Sequence, residues 1–410
     1  MTEIVDWLQT PHGQHAIELA QSVKKAASDP LAVASALERE LGLPSTYRAA
    51  ATLQADLRDR LLARWSEVPE MLFTRDGIEQ ATHPIVRRWR SLRLAKLGVS
   101  SIADLGCGLG FESRTFADHG MTVRAVERDV ETAAIATLNL AKHPARVDVF
   151  DVVEDKGALD ALLSEVDAVF VDPARRDTNA PRSIDGATGN RVSDPEDWSP
   201  RWSWVRNLAD TQPKLVAKVA PGIDHDLLPP DSQTVWFSIK NVLVEASVWF
   251  SGFALSPERV AIAVDRHGDF AELDSQSPTS AAVGEVSTFL LDPAPSITRA
   301  GLVQQLAALT DSHRIDEHLG YLSCEKEPED SPLFVTYEVL QSLKFDEKAI
   351  ASALNEIGAR DVQVSGRGHR IDTETLTKKL KKNLSGDKVI SVLLARIGND
   401  VTAILAQRLN

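Results

Sequence analysis

Residues 103–110, Ala103-Asp104-Leu105-Gly106-Cys107-Gly108-Leu109-Gly110, close an apolar run with three glycines at every second position. The run 101–105 reads as a short buried strand, and glycines directly after it allow a tight turn and a close backbone approach to a ligand. By itself such a loop has two readings, a ligand cradle or a plain turn, and the flanking residues decide between them. Downstream, residues 112–119 carry a helical pattern, 122–126 a second strand, 130–142 a second helix, and 146–150, 168–171 and 215–219 further strands. Short apolar strands alternating with helices predict an α/β fold with a parallel, doubly wound sheet, its ligand at the carboxyl ends of the strands. The runs 234–239 and 242–250 lie too close for an intervening helix. They read as an antiparallel pair at one edge of the sheet, with 259–264 as a further short strand.

Acids stand at or near the ends of the first four strands: Asp104, Glu127, Asp151 and Asp172. Asp104 can accept from a cationic amine. Glu127, about 20 residues beyond the first glycine, is where an acid takes both hydroxyls of a ribose. It has a second reading, as a cap for the next helix, which Asp129 can fill equally well. Asp151 can accept from an adenine amine. The loop continues Gly108-Leu109-Gly110-Phe111-Glu112-Ser113 and so departs from the G-x-G-x-x-G pattern of dinucleotide folds.

This spacing resembles the class I S-adenosylmethionine-dependent methyltransferases. The resemblance implies a Rossmann-like sheet with S-adenosylmethionine as cofactor. It places Asp104, Gly106, Gly108 and Gly110 at the methionine end, Glu127 at the ribose and Asp151 at the adenine. Upstream, residues 73–84 are similar to the "LEQY-x-T-P" element of nucleic-acid amino-methyltransferases. Gln80 and Thr82 match it and would lie over the methionine moiety, while Ile78 and Ala81 replace the leucine and the aromatic and His83 precedes Pro84. Thr82 as a helix N-cap with Pro84 in the first turn is the other reading, and both can hold.

Asp172-Pro173-Ala174-Arg175-Arg176 occupies the place of the "DPPY" or "DPPR" motif of methyltransferases that act on planar nitrogen or on RNA bases. An amine conjugated to a ring is a poor nucleophile, so an acceptor must take one N–H as the nitrogen rehybridises. Asp172 can accept it, and Pro173 fixes the loop that aims it. Ala174 and Arg175 replace the second proline and the stacking aromatic; an arginine plane can stack or hold a phosphate. Arg175 and Arg176 are therefore candidate substrate contacts, as is Lys218 in Lys218-Val-Ala-Pro-Gly222 at the end of the fifth strand. Uracil-carbon methylation needs a cysteine after the strand that follows Asp172, and neither Cys107 nor Cys324 stands there. Between Arg176 and Leu215, Asn179, Arg182, Arg191, Trp198, Trp202 and Trp204 read either as a lid with stacking surfaces or as a helix packing its tryptophans on the sheet. Glu245 is a lining acid or an edge-strand charge.

The rest of the chain is organised around this sheet. Residues 1–82 are a helical leader, with apolar residues at three- and four-residue spacing broken at 42–44 and 68–69; residues 83–268 form the cofactor domain. Residues 269–295 are rich in Ser, Pro, Asp and Ala and read as a linker. Residues 296–410 then form a small α+β domain, with helices at 298–310, 346–357 and 373–380 and strands at 361–364, 389–396 and 401–407. The order of these segments resembles a family of uncharacterised bacterial methyltransferases with a THUMP-like C-terminal domain. THUMP domains are associated with RNA, so the resemblance implies a transfer or ribosomal RNA substrate. Arg367, Arg370, Lys378, Lys379, Lys381 and Lys382 are the residues able to meet phosphates. A solvated helix face explains the lysine run as well.

Charge both permits and limits this reading. The formal net charge is −14, but residues 100–284 hold 29 acidic and 17 basic side chains, whereas residues 358–410 hold 10 basic and 5 acidic ones. Arg87, Arg88, Arg90, Arg93 and Lys96 form a second basic stretch without an acid, so two basic patches flank an acidic middle. Two cysteines exclude a disulfide framework and a cysteine-based zinc cluster, and no metal is expected. No apolar run reaches the roughly 18 residues of a membrane span, and the N-terminus lacks a signal peptide, so a cytoplasmic protein is expected. A methyltransferase of small molecules or proteins, or a cofactor-binding scaffold without turnover, are the alternatives.

Overall fold

The computed structural model describes residues 2–26, 29–62, 71–175, 194–256, 258–382 and 384–409. They divide into two compact units, Met1–Ile223 with Val248–Ala254, and Asp224–Ser247 with Leu255–Asn410.

The first unit begins with helices α1 (Thr2–Gln9), α2 (Pro11–Ala26), α3 (Pro30–Leu41) and α4 (Ser45–Leu62). Local chemistry sets their ends. Asp29 accepts from the Leu31 N–H ahead of Pro30, and Gly42 closes α3 in the left-handed region at φ 64°. The apolar stripe of this leader does not form a core of its own. Ile17, Leu37, Ala51 and Leu57 share one cluster with Phe73, Leu109, Phe111 and Ile135, so the boundary expected at 82/83 does not separate two cores. Two side-chain amides hold the crossing strand of chain. Gln54 accepts from the Phe73 N–H at 2.9 Å and donates to its carbonyl at 2.8 Å. Asn139 does the same for Leu72 at 2.8 and 3.0 Å.

Then follow α5 (Arg75–Gln80), α6 (Pro84–Lys96), β1 (Ser101–Leu105), α7 (Phe111–Asp118), β2 (Thr122–Val126), α8 (Val130–Leu140), β3 (Ala145–Asp148), α9 (Lys156–Leu163), β4 (Ala168–Val171), α10 (Trp202–Thr211) and β5 (Leu215–Val219). The strands run parallel in the order β3-β2-β1-β4-β5. The order reverses between β1 and β4, which opens the crevice where a doubly wound sheet takes its ligand. Of the basic stretch on α6, Arg88 and Lys96 are exposed, but the other three cations are packed inward. Arg87 and Arg90 are buried; Arg90 pairs with Glu112 at 2.5 Å and lies over Phe170, Arg87 lies over Phe111, and Arg93 stacks between Trp89 and Trp249. Arginine tolerates this because its planar, weakly hydrated guanidinium stacks on aromatic faces while a carboxylate meets its edge.

In the second unit β6 (Gln233–Ile239) turns into β7 (Val242–Trp249) through Lys240 and Asn241, both at positive φ (50° and 59°), the two-residue turn that suits hairpin twist. The hairpin is not an edge, because β8 (Arg259–Val264) pairs parallel with β6 and β9 (Phe270–Asp274) antiparallel with β8. The expected linker 269–295 thus contains β9 and also β10 (Phe289–Pro293), whose Leu290 and Leu291 are fully buried. The expected helix 298–310 is two helices, α11 (Pro295–Ala300) and α12 (Val303–Leu309), parted by Gly301 at φ 69°. Next come β11 (His313–Arg314), β12 (Leu322–Cys324), β13 (Phe334–Lys344), α13 (Glu347–Ile357), β14 (Ala359–Arg367), α14 (Thr373–Leu380), β15 (Lys388–Ile397) and β16 (Asp400–Arg408). They make a seven-stranded sheet ordered β11-β12-β10-β13-β16-β15-β14. Alternate residues of β15 and β16 enter two separate cores, Val392 and Leu394 in one and Leu393 and Ala395 in the other. Both faces of these strands are covered, which is why they read as unbroken apolar runs.

Candidate active site

A cavity of about 850 Å³ lies in the first unit at the carboxyl ends of β1, β2, β4 and β5. Its floor is the glycine loop. Gly106 and Gly108 sit at φ 84° and 54°, a region that a side chain disfavours. The Gly106 and Cys107 N–H groups both donate to the Val126 carbonyl at 2.9 Å, which pins the loop to β2. Glu127 completes the pinning, accepting from the Gly108 N–H at 3.1 Å and from the Asp129 N–H at 2.9 Å. The helix-cap role belongs to Asp129, which accepts from the Thr132 N–H at 2.8 Å, so Glu127 is left facing the cavity.

Asp104 is 1% exposed beneath the loop and accepts from the Ser113 hydroxyl at 2.5 Å. Burial pushes its carboxyl up to about 7 against the pull of that hydrogen bond, with Glu112 and Asp172 adding to the rise. Asp151 also lines the cavity, but β3 ends at Asp148, so Asp151 stands in the loop beyond the strand rather than closing it. There it accepts from the Val153 N–H at 2.9 Å and pairs with Arg128 at 3.5 Å. Gln80 ends α5, and Thr82 follows with its hydroxyl buried and without a hydrogen-bond partner. His83, not Thr82, caps α6, by accepting from the Ile85 N–H. An unpartnered buried hydroxyl in the cavity wall is the feature a bound polar ligand would satisfy.

Asp172 directly follows β4, and its Oδ2 lies 2.7 Å from the Lys218 ammonium of β5. The same ammonium donates to the Gln80 carbonyl at 3.3 Å. Pro173, Ala174 and Arg175 continue along the wall. Ala174 donates its N–H to the Ser199 carbonyl at 2.8 Å and accepts from the Ser199 N–H at 3.0 Å. A second proline there would forfeit the first bond, which is a physical reason for the departure from the expected motif. Arg176, together with Asn179, Arg182 and Arg191, lies outside the described residues. Trp198 and Trp202 are buried against each other, and Trp202 against Phe250, so these two follow the packing reading. Glu245 is buried within β7 and does not line the cavity.

The C-terminal lysines line no part of the cavity, and three of them are paired: Lys378 with Glu374 at 2.7 Å, Lys379 with Glu347 at 3.1 Å and Lys381 with Asp361 at 2.9 Å. Lys382 and Arg370 are exposed. Arg367 forks onto Asp292 at 2.6 and 3.1 Å and lies over Tyr321, which makes it a structural residue. Val5 of α1 lines the cavity although it belongs to the leader, and nothing in its local sequence marks it. Burial pushes the Cys107 thiol well up and the Cys324 thiol up to about 11, so neither is a thiolate nucleophile at neutral pH. Among the described residues no cluster is placed to hold a metal ion, and no helix is long and apolar enough to cross a membrane.

Residues 335–408 match the family model described as "THUMP domain-like". An uncharacterised S-adenosylmethionine-dependent methyltransferase of Mycobacterium tuberculosis H37Rv is 28% identical over 348 residues, covering 81% of this chain and 86% of its own; its counterpart in strain CDC 1551 / Oshkosh matches equally. A crystal structure of a candidate methyltransferase from Porphyromonas gingivalis W83 superposes with a TM-score of 0.71 at 16% identity, over 97% of this chain and 98% of that one. The chain is thus similar over most of its length to S-adenosylmethionine-dependent methyltransferases, and its residues 335–408 are THUMP-like. Its residues fit the cofactor. Thr82 offers an unpartnered hydroxyl, Asp104 a buried carboxyl for an amine, and Glu127 and Asp151 acceptors for hydroxyl and amine donors. Glu127→Ala is expected to free the loop as well as remove an acceptor. By the worth of one or two charge-assisted hydrogen bonds, cofactor affinity should fall about 10- to 100-fold by calorimetry, with the melting temperature nearly unchanged.

Proposed function

We propose that the methyl group goes to the exocyclic amine of a base in transfer or ribosomal RNA. The observation that carries this reading is Asp172, set by Pro173 at the end of β4, lining the same cavity as the glycine loop. When bound, the cofactor supplies an electrophilic methyl group on a sulfonium sulfur. The chain's part is to present the nucleophile. One Asp172 oxygen is held by Lys218, and the other is left to accept an N–H of the target amine. On taking up the methyl group the target nitrogen would shed that proton, and Asp172 is the group placed to take it. Arg175, on the same wall, offers a guanidinium plane to stack on a base or a fork to hold a phosphate.

The THUMP-like match supports RNA as the carrier of the amine. The ion pairs of Lys378, Lys379 and Lys381 are exposed, and such pairs are worth at most about 1 kcal/mol, so phosphates can displace the acids. Replacing Lys378, Lys379, Lys381 and Lys382 together by alanine is expected to weaken RNA retention on filters about tenfold at 0.1 M salt and to flatten its salt dependence. Retention unchanged at every salt concentration would remove these residues from the interface. A second reading has its own support. The cavity is lined by Asp76, Glu79, Glu127, Asp129, Glu131 and Asp151 against few cations, a wall that suits an amine on a small molecule or a protein better than a polyanion. Methyl transfer from labelled cofactor to total RNA, to total protein and to a metabolite extract separates the readings.

A further inference from the structure

We propose that Lys218 is a positioning residue that ties the acceptor carboxylate to the chain segment over the cofactor, rather than a contact for the substrate. The inference rests on the assignment of Asp172 as the acceptor. Every residue of β5 is buried, and Lys218 stands within it with only 5% of its side chain exposed. An ammonium so placed is costly unless it is paired. The chain pairs it from two other elements, with Asp172 Oδ2 at 2.7 Å beyond β4 and the Gln80 carbonyl at 3.3 Å at the end of α5.

Two consequences follow for the site. The Asp172 carboxylate is fixed in rotation, with one oxygen committed to Lys218 and the other available for the target N–H. The Gln80 to Thr82 segment, which carries the unpartnered Thr82 hydroxyl, is held from the same nitrogen, so one cation keeps both the acceptor and the cofactor wall in register. Two of the three N–H donors of this ammonium are committed to internal acceptors, which leaves at most one for a substrate.

The test compares wild type with Lys218→Met, Lys218→Arg, Asp172→Asn and the Asp172→Asn/Lys218→Met double variant. It reads RNA methylation kinetics and S-adenosylhomocysteine affinity by calorimetry. Lys218→Met is expected to lower kcat about 100-fold with the KM for RNA within about twofold, and to weaken S-adenosylhomocysteine about tenfold. Lys218→Arg should recover part of both. The double variant should be no slower than the slower single variant, because the lysine acts through the aspartate. A KM for RNA that rises about tenfold with kcat retained would make Lys218 a substrate contact and overturn the proposal, as would losses that multiply in the double variant. If the wild type methylates no RNA, the proposed substrate fails while this inference is still decided by binding. Weakened S-adenosylhomocysteine with recovery by arginine supports it, and unchanged affinity overturns it.

Discussion

The Asp104→Asn protein is expected to melt above the wild type at pH 8 and to bind its cofactor worse. Asp104 is fully buried, and burial pushes its carboxyl from the usual carboxylate range near 4 up to about 7. The folded state therefore binds a proton that the unfolded state has lost, and stability contributed by this group falls as pH rises from about 4 to about 7, then stays constant. At 1.36 kcal/mol per pH unit the full cost of holding the charge is roughly 4 kcal/mol, and about 2 to 4 kcal/mol is a fair expectation. Asparagine has nearly the same shape, can still accept from Ser113 and carries no charge to desolvate. The gain in melting temperature, several degrees at pH 8, should vanish near pH 4. Cofactor affinity should move the other way, dropping about 10- to 100-fold with the loss of a charged partner for an amine. A variant no more stable than wild type at pH 8 would mean that Asp104 carries no such burden. Higher stability together with weaker binding would mark a site that spends stability on binding, as functional sites commonly do.

Asp172→Ala is expected to reduce methyl transfer about 10²- to 10⁴-fold, the range for losing a positioned proton acceptor. It also leaves the Lys218 ammonium buried without its carboxylate. Removing one partner of a buried pair costs about 3 to 5 kcal/mol, so the variant should melt lower as well. Asp172→Asn separates the two effects. Its amide oxygen still accepts from Lys218 and, more weakly, from the substrate, so stability should largely return while turnover recovers only in part. Turnover equal to wild type in Asp172→Ala would remove the residue from the chemistry.

Much of the first unit was legible because its signals are local. The five parallel strands fall within a few residues of the apolar runs that announced them, and the reversal beside β1 follows from their order. The acids Asp104, Glu127, Asp151 and Asp172 do meet in one cavity. What was not legible depends on partners distant in sequence. Strands β9 and β10 are short and lie in a Ser- and Pro-rich stretch; pairing with β8 and β13 makes them strands. Arg87 and Arg90 read as surface charge because nothing in α6 itself announces Phe111, Phe170 and Glu112. The lysine run read either as a phosphate contact or as a solvated helix face, because Glu347 and Asp361, which pair with Lys379 and Lys381, come from other elements. Charge counts along a chain show where cations are, but burial and pairing decide whether they are free.

Under the proposed function, the methyl group goes to an RNA base amine accepted by Asp172. The most direct test is transfer of labelled methyl from S-adenosylmethionine to total RNA of a strain lacking the protein, using wild type and Asp172→Ala side by side, with nucleoside analysis of the product. Label in an N-methylated nucleoside with wild type, reduced at least about 100-fold with Asp172→Ala, is the predicted result. No label in RNA with wild type, or equal label with both proteins, would contradict it.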